Sequence, residues 1–273
     1  GIPTMRKYIF WILSFLITVF FALFQRMTGP TYPIKGYASP AGAEISYRFP
    51  RSCTVAGADC VMKINSAAPL QGFLLWKRYK SSDAPLKIEM EYKDGLLSAS
   101  LPGQPPAGKL EYRVFLKTSG GELELSKAPV VTRFKGAVPR WALTPHIVFI
   151  FLFMFFSVRI AFAAFSGDLR MKKWVPLNLG LLLLGGFIFG PIVQQYAFGQ
   201  AWTGFPFGMD LTDNKTLLML VFWLPALFAV LKEKNHKPWI LLAVVVTFAV
   251  YLVPHSMYGS ELDYKKGAVV TGK

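Results

Sequence analysis

Charged residues are scarce in this chain. Asp, Glu, Lys and Arg make up 16% of its 273 residues, where a soluble globular chain carries about a quarter. Acids are scarcer than bases, 15 against 30, and the chain has only two cysteines and three histidines. Pro33 to Val138 holds no histidine at all, so a hydrolase or metal centre confined to that segment has only carboxylates to work with. Nor is there a G-x-S-x-G, a Walker loop, a G-x-G-x-x-G or a C-x-x-C anywhere. The common soluble-enzyme signatures are therefore absent.

What the chain has instead is apolar surface: 53% of residues are hydrophobic and 15% aromatic. These residues are clumped, and a middle third that reads like a soluble domain separates long stretches almost free of charge, so two environments are implied. Tyr8 to Phe24 is the first apolar run, flanked by Arg6 and Lys7 before it and Arg26 after it. The bulky T-G-P-T-Y-P that follows holds no small-residue cleavage site, so the run reads as a transmembrane anchor. Four more runs follow, about Trp141 to Phe165, Val175 to Phe198, Leu217 to Leu231 and Trp239 to Val253. The last two are short but come within reach of the roughly 17 to 25 residues a span needs once flanking aromatics and Lys stems are counted.

Charge placement sets an expected orientation. Eight Lys and Arg lie in the N-terminus and in the loops Asp168 to Lys173 and Lys232 to Lys237, against one Lys in the loop Gly199 to Thr216. The positive-inside rule then puts the N-terminus and both basic loops in the cytoplasm and the C-terminal tail outside. The net charge of +15 is spent at such flanks, on lipid headgroups, and no nucleic-acid partner is expected. The expected divisions are an anchor over 1–32, a periplasmic domain over 33–138, four membrane helices over 139–254 and a periplasmic tail over 255–273.

Between the first two spans the sequence reads as all-β. Strands are expected at Glu44 to Phe49, Val61 to Asn65, Phe73 to Tyr79, Leu86 to Tyr92, Leu96 to Leu101, Lys109 to Lys117, Glu122 to Leu125 and Val130 to Phe134. Lys93-Asp94-Gly95 and Ser119-Gly120-Gly121 supply hairpin turns, and Gln104 to Gly108 a stiffer corner. Seven or eight strands in about a hundred residues fit a two-sheet sandwich. The run L-S-A-S-L-P-G-Q-P-P-A-G-K-L-E-Y-R-V resembles the strand, proline loop, strand pattern of fibronectin type III and immunoglobulin-like modules. Cys53 and Cys60, in S-C-T-V-A-G-A-D-C, pair as a disulfide if this region sits in an oxidising space; two free thiols of a strand pair are the alternative.

Three segments carry a wider likeness: Q-R-M-T-G-P-T-Y-P at Gln25 to Pro33, W-T-G-F-P-F-G-M-D-L-T-D-N-K-T at Trp202 to Thr216, and P-H-S-M-Y-G-S-E-L-D-Y at Pro254 to Tyr264. Together they resemble a family of uncharacterised bacterial inner-membrane proteins. That resemblance implies a bacterial cytoplasmic membrane and brings no catalytic residues with it.

Two constellations stand out once the topology is drawn. His146 opens the second span and His255 closes the fifth, both on the outer face. If first and last helices of the bundle are neighbours, these two imidazoles are placed for a haem b or a Cu or Zn ion. Asp210, Asp213, Glu261 and Asp263 are the available acids. The plainer reading is a helix-end histidine beside proline that bonds a headgroup or a free carbonyl. The second constellation is a surface for other subunits: Trp202, Phe205 and Phe207 in the outer loop, and Gly186 and Gly190 as a close-packing stripe on the third span. The overall expectation is a non-enzymatic accessory, scaffold or assembly subunit in contact with lipid and with other membrane subunits.

Overall fold

The computed structural model describes residues 4–42, 44–167, 170–254 and 259–271. The chain divides into two compact units. One is helical, formed by the residues up to Gly29, Val138–Gly259 and the last residues from Thr271; the other is a β unit, Pro30–Ala137 with Ser260–Val270.

The β unit has one five-stranded and one six-stranded sheet. The first runs β1 (Ile34–Ala38), β2 (Ile45–Phe49), β4 (Val61–Ser66), β8 (Leu96–Ser100), β7 (Glu91–Lys93), and the second β3 (Ser52–Thr54), β11 (Val130–Lys135), β9 (Lys109–Thr118), β5 (Gln71–Arg78), β6 (Leu86–Glu89). Strand β10 (Gly121–Glu124) pairs with β9 through the turn at Ser119 and Gly120. All pairs are antiparallel except β3 with β11. Alternation sends one face of each sheet inward, as the period of two requires. Phe49, Met62, Ile64 and Leu97 from the first sheet meet Leu74, Leu110, Val114 and Phe134 from the second in one core, all fully buried.

The disulfide between Cys53 and Cys60, with Cα atoms 5.2 Å apart, ties β3 of the second sheet to the start of β4 in the first. Both cysteines are buried, and the Thr132 hydroxyl lies 3.3 Å from Cys53 Sγ. One expected strand is two. Leu86 to Tyr92 divides at Met90, so that β6 pairs with β5 in one sheet and β7 with β8 in the other. Met90 is turned inward at the crossing, with its N–H donated to Gly72 O.

The helical unit consists of α1 (Thr4–Thr28), α2 (Arg140–Ser166), a third rod made of α3 (Met171–Leu182), a π-helical stretch (Leu183–Phe189) and α4 (Gly190–Phe198), then α5 (Leu211–Leu231) and α6 (Lys237–Leu252). Four segments are long and apolar enough to cross a membrane: Tyr8–Thr28, Arg140–Ser166, Met171–Phe198 and Leu211–Leu231. The fifth, α6, has 16 residues, a rise of about 24 Å.

The bundle's inner face is packed by Phe153, Met154, Trp223, Ile240 and Ala243, all fully buried, while Phe15, Phe20, Phe228 and Val245 project outward. That is the pattern of a unit whose solvent is lipid. Helix α1 is part of this packing: Phe10 stacks on Phe162 at 4.9 Å and Phe21 on Phe248 at 5.4 Å. Helices α2 and α6 are neighbours, joined by the Tyr251 hydroxyl donating to Ile150 O at 2.8 Å.

Candidate functional site

One cluster of polar groups in the helical unit lies around the loop from Gly199 to Asp210, where α4 ends and α5 begins. Asp210 is the N-cap of α5: its Oδ1 accepts from the Thr212 and Asp213 N–H groups at 2.8 and 3.4 Å, two of the donors a helix start leaves free. This lengthens the helix by six residues over the apolar run that begins at Leu217.

Asp213, 6% exposed, turns back onto the loop. Its Oδ2 accepts from the Thr203 N–H at 2.6 Å, the Gly204 N–H at 3.1 Å, and the Thr203 hydroxyl and Gln194 Nε2 at 3.2 Å each. Asn214 Oδ1 accepts from the Phe205 N–H at 2.7 Å. Gly204 is required here, since a Cβ at that position falls 2.6 Å from Asp213 Cβ. So the first turn of α5 holds the loop by side chains alone. Buried carboxylates survive only with such donors.

The loop is rigid at its base and apolar at its tip. Trp202 stacks on Phe187 at 5.5 Å and donates its indole N–H to Phe205 O at 3.1 Å. Phe205, Phe207 and Met209 are 64, 83 and 67% exposed.

On the same unit the end of α6 is capped from two neighbours. Val253 O accepts from Lys215 Nζ at 2.8 Å and from Gln25 Nε2 at 3.1 Å, and Gln25 Nε2 also donates to Tyr251 O. Cations and amides belong at a helix C-terminus, where carbonyls have no partner within the helix. Sequence reasoning missed Lys215 and Gln25. The available signal was a cation near the start of a helix otherwise free of them.

His146 lies one turn into α2. Its Nδ1 is 2.8 Å from Gly185 O, and because a carbonyl only accepts, Nδ1 carries the hydrogen. Gly185 O sits in the π-helical stretch and also takes the Gly190 N–H. The close approach depends on the glycines: a Cβ on Gly185 falls 3.0 Å from Ile150, and one on Gly186 falls 2.5 Å from Thr216 Cγ2. A Cβ on Gly190 lies 3.6 Å from the His146 ring, an ordinary contact. His255 lies outside the described residues. Among the described residues no group of three or more His, Cys, Asp and Glu is gathered for a metal. Arg159 is buried within the bundle, its guanidinium 5.0 Å from the Trp11 ring centroid.

Glu261 and Asp263 belong to the β unit. The tail forms a hairpin, β12 (Glu261–Asp263) with β13 (Ala268–Val270), in which Asp263 Oδ1 accepts from the Lys265 and Lys266 N–H groups. Glu261 pairs with Lys109 at 2.7 Å and Lys80 at 3.2 Å. Burial raises the Glu261 carboxyl, but the bond to Lys109 and the charges of both lysines outweigh it and hold it below the usual glutamate range. Burial pushes Lys109 down, against the pull of Glu261. The Leu262 N–H donates to Ala107 O at 2.9 Å, Tyr264 donates to Gln104 Oε1 at 3.0 Å, and Arg133 donates to Ser260 O at 2.6 Å.

Nearby, a cleft of about 330 Å³ opens between Trp76, Arg78, Asp83 and Gln104. Its charges satisfy each other. Arg78 grips Asp83 with two bonds of 2.6 and 2.9 Å and holds its carboxyl at about 2.

No protein-family model matches the sequence, and no curated protein matches it.

Proposed function

We propose that this chain is a non-enzymatic accessory or assembly subunit of a multi-protein complex in the bacterial inner membrane. The observation that carries this reading is the loop tip of Phe205, Phe207 and Met209, held out by a base in which Asp213 and Asn214 bond inward to Thr203, Gly204 and Phe205. A fixed apolar projection has the anatomy of a docking anchor, and of the two carboxylates closest to it Asp213 holds the loop while Asp210 caps α5.

The β unit is proposed to be a sandwich of the immunoglobulin or fibronectin III kind, lying in the periplasm with the N-terminus cytoplasmic. The charge bias of the loops supports that orientation, and so does the disulfide. A further support is that the tail folds into the β unit. For Ala137 and Ser260 to lie on one side, the chain between them must cross an even number of times, so α6 crosses despite its length. A membrane-impermeant thiol reagent should label a cysteine at Gly267 but not one at Ser166 in intact cells.

Native gels of gently solubilised membranes test the function. The chain should run in a particle larger than its own 30.5 kDa and detergent allow, and F205S/F207S should release it. A lone monomer with no co-purifying protein overturns the reading.

A second reading, a haem or metal protein centred on His146, is favoured by one detail. Ligating histidines commonly donate Nδ1–H to a carbonyl and keep Nε2 for the metal, and His146 Nδ1–H meets the Gly185 carbonyl in this way. An absorption spectrum and elemental analysis of the purified protein decide between the two.

A further inference from the structure

The two sheets of the β unit treat their outward charges differently. On the six-stranded sheet cations are neutralised: Lys77 faces Glu111 at 3.2 Å, Lys117 and Lys87 share Glu89 at 3.1 and 2.8 Å, and Arg113 meets Glu124 at 3.3 Å. On the five-stranded sheet the register sets Lys35 opposite Arg48, and Arg48 opposite Lys63.

All three side chains are exposed, and among the described residues none forms an ion pair with an acid. Two interstrand steps place them within about 10 Å. Like charges directly opposite in an antiparallel pair destabilise it, so the fold carries this row at a cost that an opposite charge from outside removes. Beside it runs a second row on the same face, Tyr37, Ser46 and Asn65, with Tyr37 89% exposed at the sheet edge and Asn65 Nδ2 donating to Ser46 Oγ at 3.0 Å.

We infer that this face, through Lys35, Arg48 and Lys63, docks on anionic phospholipid headgroups of the bilayer that the chain's own helices cross. The charge complements phosphate, and exposed tyrosine is at home at the membrane interface. The tether supplies the partner: six residues separate Lys35 from Thr28 at the end of α1, so headgroups are present at high effective concentration without any second protein. The inference rests on the helices crossing a bilayer and not on the docking role proposed for the loop tip.

The test uses the full chain, alone, in nanodiscs. A fluorophore on Asn65→Cys reports proximity to a lipid whose headgroup carries a spin label, and a fluorophore on Ser119→Cys serves as control. With about 30% anionic lipid, each surface cation should shift the docked-to-free equilibrium about fivefold, about a hundredfold for three.

Quenching at position 65 should therefore rise sharply over discs of zwitterionic lipid, fall between about 50 and 500 mM salt, and vanish in K35E/R48E/K63E. The salt titration of the unmutated face stands if the triple variant misfolds. Equal quenching with and without anionic lipid, or indifference to salt, overturns the inference. So does release by inorganic phosphate at constant ionic strength, which would mark a site for a free anion. Because no partner is present, failure here leaves the loop-tip reading standing, and the native-gel result leaves this one standing.

Discussion

Reversing Glu261 should unlatch the C-terminal hairpin from the β unit. In Glu261→Lys the pairs with Lys109 at 2.7 Å and Lys80 at 3.2 Å are replaced by repulsion. Glu261 and Lys109 are each 18% exposed, so their pair is partly screened, and Lys80, at 48%, contributes little. A charge-assisted bond at that depth is worth about 1.5–2 kcal/mol, and the new like-charge contact adds about 1 kcal/mol. The hairpin then opens more readily by about 2–3 kcal/mol, a factor of roughly 30 to 150. Glu261→Gln, which keeps a hydrogen-bond acceptor, should cost about half as much in free energy.

The Leu262 N–H, bonded to Ala107 O, is the reporter, and its hydrogen exchange reads the opening directly. Acid gives an independent arm. The folded Glu261 carboxyl titrates below its unfolded value, so the pair's contribution is complete above the unfolded value and is lost as pH falls through the folded one. Corrected for intrinsic rate, exchange at Leu262 should quicken in that window for the wild type and stay flat for Glu261→Gln. Protection in Glu261→Lys within twofold of wild type refutes the latch.

Two further outcomes are expected. Cys53→Ser opens a small loop and should lower β-unit stability by about 2 kcal/mol on the chain-entropy model, read as a shifted denaturation midpoint under oxidising conditions; an unchanged midpoint removes the staple from the account. Gly186→Val drives a side chain into Thr216, 2.5 Å from the Cβ, and should cost the bundle about 1–3 kcal/mol by overpacking, seen as a lower melting temperature in detergent.

The membrane spans were legible because hydropathy over about twenty residues is a strong signal, and most strands because alternation and turn glycines coincide. The division at Met90 was not legible. A strand that changes sheets keeps its β character, and only the long-range partners of its two halves reveal the break. Strands β1, β3, β12 and β13 are short, five residues or fewer, and all four lie at a sheet edge or in the isolated tail hairpin, where propensity says little and pairing decides.

The site was legible in kind more than in detail. Asp213 was read as an acid available to a metal site; with Asp210 three residues earlier capping α5, its carboxylate holds Thr203 and Gly204. Glu261 and Asp263 were grouped with the histidines by expected membrane side, yet they belong to the β unit through Lys109, Lys80 and the turn at Lys265.

The tail also fixes an order of events in synthesis. Glu261 is translated after α1 to α6, so the β unit, begun by Pro30 and nearly complete at Ala137, lacks its last piece until α6 has been made. Until then Lys80 and Lys109 stand together without their acid, and Tyr264 is missing from Gln104. The finished β unit is thus a record that the chain has been made through its tail hairpin. A chain cut short before Glu261 presents a different surface, two uncompensated lysines.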